Sequence, residues 1–226
     1  MAENTIVSQN LNDNQGAYAL MRELQHMLYK IARSAELKDP QLLQEIQKEA
    51  DIALRLIDSY LLTTSVDGKQ IQIDLSPVGI GSLLHETAYE VRASSGIDVE
   101  VTPKVLQPVM TNILLLKNFL FSVGYFISKT NNSTELKFCS FKAKDGEIGV
   151  GVLSKNFNVT SKELKKALKN TSNHMPLSKH TSQSAIMLII ADAIANALGS
   201  KLSVKKAGNS KGFSLLLPKS EQLALV

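Results

Sequence analysis

The spacing of apolar positions divides the chain into two parts with different periods. Ala17, Leu20, Leu24, Met27, Leu28, Ile31 and Ala35 recur at three- and four-residue steps, which predicts an amphipathic helix beginning near Gln15. LKDPQ interrupts it, with Asp39 placed to cap a second helix and Pro40 at its first position. The second stripe runs through Leu43, Ile46, Ala50, Ala53, Leu54, Ile57, Tyr60 and Leu61. Two such helices joined by a short turn form an antiparallel hairpin. A hairpin alone has little against which to cover its stripes, so pairing of two copies into a four-helix bundle is the natural solution.

TTSVDGKQ reads as a polar linker with a turn at Asp67-Gly68, and beyond it the pattern changes. IQIDL alternates as a strand does. SPVGIGSLLHETAYEVRASSG predicts a helix started by Ser76 and Pro77 and stopped by Gly96. IDVEVTP alternates again, and VLQPVMTNILLLKNFLFSVGYFISKT predicts one long apolar helix. ELKFCSFKAKDGEIGVGVL predicts two strands about an Asp145-Gly146 turn, the strongest hairpin signal in the chain. SKELKKALKN predicts a short polar helix, and SQSAIMLIIADAIANALG a buried one ending at Gly199. KLSVKKAGNSKGFSLLLP closes with two strands around AGNSKG. The order after the hairpin is β-α-β-α-β-β-α-α-β-β, which predicts helices on one face of a mixed sheet. The fold class is therefore α+β, with a disordered lead-in over 1–13, a helical hairpin over 14–64 and an α/β sandwich over 70–220.

Composition narrows the function. The 226 residues suffice for a helical module and a domain of about 150 residues. The net charge is only +4, and the lysines over 155–169 and 201–211 are interleaved with acids and serines. That is too sparse for a nucleic-acid footprint, and the aromatic content of 5% without tryptophan argues against base stacking. The longest apolar runs, ILLLKNFLF and AIMLIIADAIANAL, are too short to span a bilayer, and the N-terminus lacks a basic-then-apolar signal. These features predict a soluble, cytoplasmic protein. The lone Cys139 cannot build a structural zinc site, and its place in LKFCSF predicts a small buried hydrophobe. His85 reads as a structural residue in mid-helix. His174 and His180 lie in a polar, loop-like stretch without ligand-like neighbours.

The element order and three local stretches, IDLSPVGIGSLLHET, AIMLIIADAIANALGSKLSV and KGFSLLLP, resemble a sensor histidine kinase core over roughly Gln15 to Ser220. Such a core joins a dimerising helical hairpin to the ATP-binding sandwich shared by gyrase, the heat-shock-ninety proteins, the kinases and the mismatch-repair proteins. LKKALKN together with LSKHTSQSAIMLIIADAIANALGSKLSV also resembles the bacterial histidine phosphotransferases built on the same architecture, which dispense with ATP.

The resemblance implies four places for chemistry, and the chain departs from the family at each. The phosphoacceptor signature aligns on Arg22, Glu23, Leu24 and Gln25, followed by Met27 and Leu28, so Arg22 stands at the histidine position. A permanently charged guanidinium cannot act as the nucleophile. The asparagine motif, whose amide would coordinate Mg²⁺, aligns in two ways. Asn118 with Ser122 is one; Ser122 with Phe126 is the other, preferred by its distance from the preceding strand. Neither serine nor phenylalanine replaces the amide. In VLSKNFNV, Ser154 replaces the adenine-reading aspartate, and Asn156 and Asn158 replace two glycines. In QSAIML, Gln183, Ala185 and Met187 replace the glycines of the phosphate cradle.

Four departures inside a matching framework imply a kept fold and a lost ATPase, with no cofactor. The function expected is that of a catalytically inactive histidine-kinase-like protein, a pseudokinase or adaptor. It would form a homodimer through the hairpin and dock the receiver domain of a response-regulator-like partner through Arg22, Glu23 and His26. The alternative is a phosphotransferase using His26 as acceptor, one helical turn after Arg22 and on the same polar face; a plain surface histidine is the competing reading of that residue.

Overall fold

The computed structural model describes residues 21, 24, 25, 27–29, 31–33, 40–67, 73–131, 135–155, 157, 162 and 185–220. The lead-in, Arg22, Glu23, His26, Asp39, Gly68, the SKELKKALKN segment apart from Lys162, Asn156, Asn158, His174, His180 and Gln183 lie outside them, as does the side chain of Ala185.

The described residues between 21 and 33 are helical (α1), and α2 spans Pro40–Asp67. The helix thus runs through TTSVD, which the polar composition had assigned to a linker. Then follow β1 (Ser76–Val78), α3 (Ile80–Ser95), β2 (Asp98–Pro103), β3 (Val109–Thr111) and α4 (Ile113–Asn131). The chain continues through β4 (Glu135–Lys142), β5 (Ile148–Ser154), α5 (Ala185–Ala197), β6 (Ser203–Ala207) and β7 (Ser210–Leu217). Five strands form a mixed sheet in the order β2-β4-β5-β7-β6, parallel between β2 and β4 and antiparallel elsewhere. The α+β reading and the mixed sheet hold.

Two local expectations are corrected. Pairing does not involve Ile73–Leu75; it begins at Ser76, and β1 forms an antiparallel ribbon with β3. Pro77 is therefore a residue of a short edge strand, where its missing N–H costs nothing, and Gly79 caps α3 instead. Nor does one helix run from Val105. The backbone of 109–111 is drawn into β3 partly by the distant C-terminal stretch: Met110 N–H donates to the Pro218 carbonyl at 2.9 Å, and Ser220 N–H to Pro108 at 2.9 Å. Asn112 then starts α4, its Oδ1 accepting the Leu115 N–H at 3.1 Å.

Helix ends follow glycine as the sequence predicts. Gly96 (φ 70°) closes α3. Gly199 (φ 71°) closes α5, with Ser200 N–H bonded to Ala195 and Gly199 N–H to Asn196, the pair of bonds of a Schellman motif.

The core lies between the sheet and α3, α4 and α5. On α3, Ile80, Leu83, Leu84, Thr87, Ala88 and Val91 form the buried stripe. Its apolar members share one buried cluster with Val99, Leu136, Phe138, Val150, Val152, Phe213 and Leu215 on the strands. Helix α5 is apolar nearly all round because it is covered from two sides: it packs against α4 and also against α2. That second contact answers the problem of the bare hairpin stripe. Met27 on α1 and Ile52, Ala53 and Leu56 on α2 belong to the same buried cluster as the sandwich. Arg55 fastens the contact, its guanidinium 4.6 Å over the Phe121 ring and 3.3 Å from Glu90.

Candidate functional site

Helix α4 packs against both β5 and α5. Ser122 and Phe126 lie on α4, Ser154 at the end of β5, and Met187 on α5. All four are buried: Ser122 and Met187 fully, Ser154 and Phe126 nearly so.

Phe126 does not line an open space. Its ring stands edge-on to Phe157 (centroids 6.2 Å apart) and to Phe213 (5.8 Å), and those two rings meet at 5.2 Å. Three aromatic residues thus close a mutually packed cluster. It unites α4 and the segment after β5, two of the parts from which the resemblance would build a nucleotide site, with the strand β7. Phe157 and Phe213 were not singled out from the sequence. The signal was present, since Phe157 is the apolar residue between Asn156 and Asn158 in a stretch otherwise fit for a polar loop.

Ser122 adds a second anomaly. Its Oγ is buried without a hydrogen-bond partner among the described residues. Elsewhere in these helices, hydroxyls bond back one turn: Thr87 to Leu83 and Thr130 to Phe126, each at 2.7 Å. A lone hydroxyl with phenylalanine on the next turn offers no carboxylate or amide to Mg²⁺, so these residues do not fit the ion. Among the described residues, no group of three or more His, Cys, Asp and Glu side chains could hold a metal.

Other candidates are placed more simply. Cys139 is buried, and its Sγ donates to the Gly151 carbonyl at 3.7 Å. Burial pushes the thiol above its ordinary range, outweighing the opposing pull of nearby lysines. It is the small buried group the sequence predicted. His85 is exposed on α3, so its role is not in the core. Asp192 on α5 has its carboxyl pushed up by burial, with a hydrogen bond from Asn196 working the other way. Lys117 joins Glu86 at 2.6 Å and Glu90 at 3.0 Å, and the Glu86 bond holds its ammonium above the usual lysine range. Through Glu90 this network continues to Arg55, linking α2, α3 and α4.

Solved structures share this fold. The histidine kinase AdeS of Acinetobacter baumannii superposes over 89% of this chain and 96% of its own, with a TM-score of 0.57 at 11% identity. The fold is that of a histidine-kinase core. Full-length ShkA in complex with AMPPNP matches all of this chain at a TM-score of 0.59 and 15% identity, and the chain spans 47% of that protein. The ATP-binding domain of PrrB from Mycobacterium tuberculosis matches 66% of the chain and 99% of its own length, with a TM-score of 0.50 at 16% identity. No protein-family model and no curated protein sequence matches the chain. Within this histidine-kinase-core fold, the Phe126 cluster lies on the helix-covered face of the sheet. No described helix is long and apolar enough to cross a membrane.

Proposed function

We propose that this chain is a two-component signalling protein that has kept the histidine-kinase fold and lost the ATPase. It is a cytoplasmic homodimeric adaptor, a hairpin over 14–64 followed by a degenerate sandwich over 70–220, that docks a receiver domain of the response-regulator type without ATP hydrolysis. Arg22, Glu23 and His26 form the docking surface in this reading, with Arg22 presenting a fixed positive charge to an acidic pocket. Ser122, Phe126, Ser154, Asn156, Asn158, Ala185 and Met187 are the remnants of the nucleotide site.

The observation that carries the proposal is the packing of Phe126 against Phe157 and Phe213. A ring that faced a nucleotide would leave one side open; this one is 4% exposed. The division into two parts is supported by the PrrB domain, which alone accounts for 66% of the chain. Dimerisation is supported by the second face of the hairpin. Leu54 and Leu61, seven residues apart on α2, and Leu28 and Tyr29 on α1 are at least 55% exposed, while the opposite face of α2 is covered by the sandwich.

The test is incubation with a phosphorylated receiver domain, followed by assay for acid-labile phosphate on this chain. The proposal expects a complex that Arg22→Ala weakens and no label. Label on the wild type that disappears in His26→Ala would instead establish the phosphotransferase.

A further inference from the structure

The face of the sheet turned away from the Phe126 cluster carries a different kind of surface. Strand register sets Glu100, Lys137, Leu153, Gly212 and Lys205 side by side across all five strands. Beside this row lies an open concavity of about 440 Å³. Lys104, Lys137, Lys205 and Lys206 line it, and no acidic side chain among the described residues does. The whole chain has a net charge of only +4, so four lysines around one cavity are a local concentration, not a share of a generally basic surface.

One of these cations is held in place. The Phe141 ring lies over Gly149, where any Cβ would collide with it. The Lys205 ammonium sits 3.6 Å from the centre of that ring. A lysine fixed in this way has less freedom to lose when it meets an anion. Lys137 is paired with Glu100 at 2.8 Å, a carboxylate that is not part of the cavity lining, so the unpaired charge comes from the other lysines. Lys104 and Lys206 are exposed at the rim and have no acidic partner among the described residues. At the back of the cavity Cys139 stays a neutral thiol, because burial raises it, and adds no negative charge.

We propose that this concavity binds a small molecule through a run of two or more phosphates, with Lys104, Lys137, Lys205 and Lys206 as its cationic wall. Ammonium groups meet phosphate oxygens as point charges, and several of them converging on one space favour contiguous phosphates over a single carboxylate. The volume falls in the range of small-ligand sites, about 300–1,000 Å³. The proposal is independent of the signalling role, since the site lies on the other face of the sheet.

Isothermal titration of the full chain with inorganic pyrophosphate and with ADP, without Mg²⁺, tests it. The expected result is saturable one-to-one binding that weakens at least tenfold in Lys104→Ala/Lys206→Ala and is unchanged in Lys219→Ala. Both exposed rim lysines can be truncated without touching the core. Tighter binding of ADP than of pyrophosphate, lost in the double variant, would place a nucleoside next to the phosphates; equal binding would place the phosphates alone. Absence of saturable binding by either probe, or equal binding by wild type and double variant, overturns the proposal.

Discussion

Truncation of Phe126 measures whether the place proposed as the remnant of a nucleotide site is filled or open. In Phe126→Ala the removed ring is 4% exposed and touches two other rings. A buried Phe→Ala change costs about 3–5 kcal/mol, of which each lost edge-on pair contributes about 0.5–1.5 kcal/mol. Were the ring the wall of an open nucleotide cavity, much of its surface would be wet already, and the loss would approach the roughly 0.5 kcal/mol typical of surface sites. Urea unfolding of wild type and variant, with the two slopes equal, gives the difference directly. A loss of about 3 kcal/mol or more is expected; a loss below about 1 kcal/mol would refute the packed-cluster account. A double-mutant cycle with Phe157→Ala should show strong non-additivity, because the two rings share the same cluster.

Other expected outcomes follow from single sites. Ser122→Ala should leave stability unchanged or raise it by up to about 1 kcal/mol, since it removes a buried hydroxyl without a described partner; destabilisation by more than that would mean the hydroxyl is bonded. Arg55→Ala should cost about 1–2 kcal/mol through the lost ring stacking and ion pair, and a cycle with Glu90→Gln should show coupling; additive losses would remove Arg55 as a fastener between α2 and the sandwich. Gly199→Ala should cost about 1 kcal/mol because alanine is strained at φ 71°; a neutral result in thermal unfolding would contradict the left-handed cap. For Asp192 the folded state raises the carboxyl pKa, so it favours the protonated form and loses stability as pH rises through that value. Asp192→Asn should therefore stabilise at pH 7, with the gain shrinking as pH falls from the raised value towards the ordinary aspartate pKa of about 4, below which it is gone; a gain independent of pH would reject burial as the cause.

Much of the sandwich was legible because its signals are local. The alternation in LKFCSF and IGVGVL, the turn at Asp145-Gly146 and the glycines after α3 and α5 are all decided within a few residues of themselves. The misread places depend on distant partners. β3 is held by bonds from 218 and 220 to 108 and 110, and no periodicity within VLQPVMTN encodes that. Pro77 carries the same helix-start signal whether or not an edge strand is available to it. The hairpin stripe looked uncovered because its cover, α5, lies over a hundred residues downstream; the all-round apolarity of α5 was the available sign that two layers meet on it. At the candidate site, the missing amide and glycines are what the resemblance implies from residue identities. That Phe126, Phe157 and Phe213 fill the space together needed the packing.

The central claim is that the helix-side nucleotide site of this fold no longer exists. Its most direct test is titration with Mg-ATP followed by thermal unfolding, carried out in the Lys104→Ala/Lys206→Ala background so that the open face of the sheet does not contribute. Ligand at a hundred times its dissociation constant stabilises a protein by about 2.7 kcal/mol. The account predicts no saturable stabilisation at millimolar Mg-ATP; a saturable upward shift in that variant would contradict it.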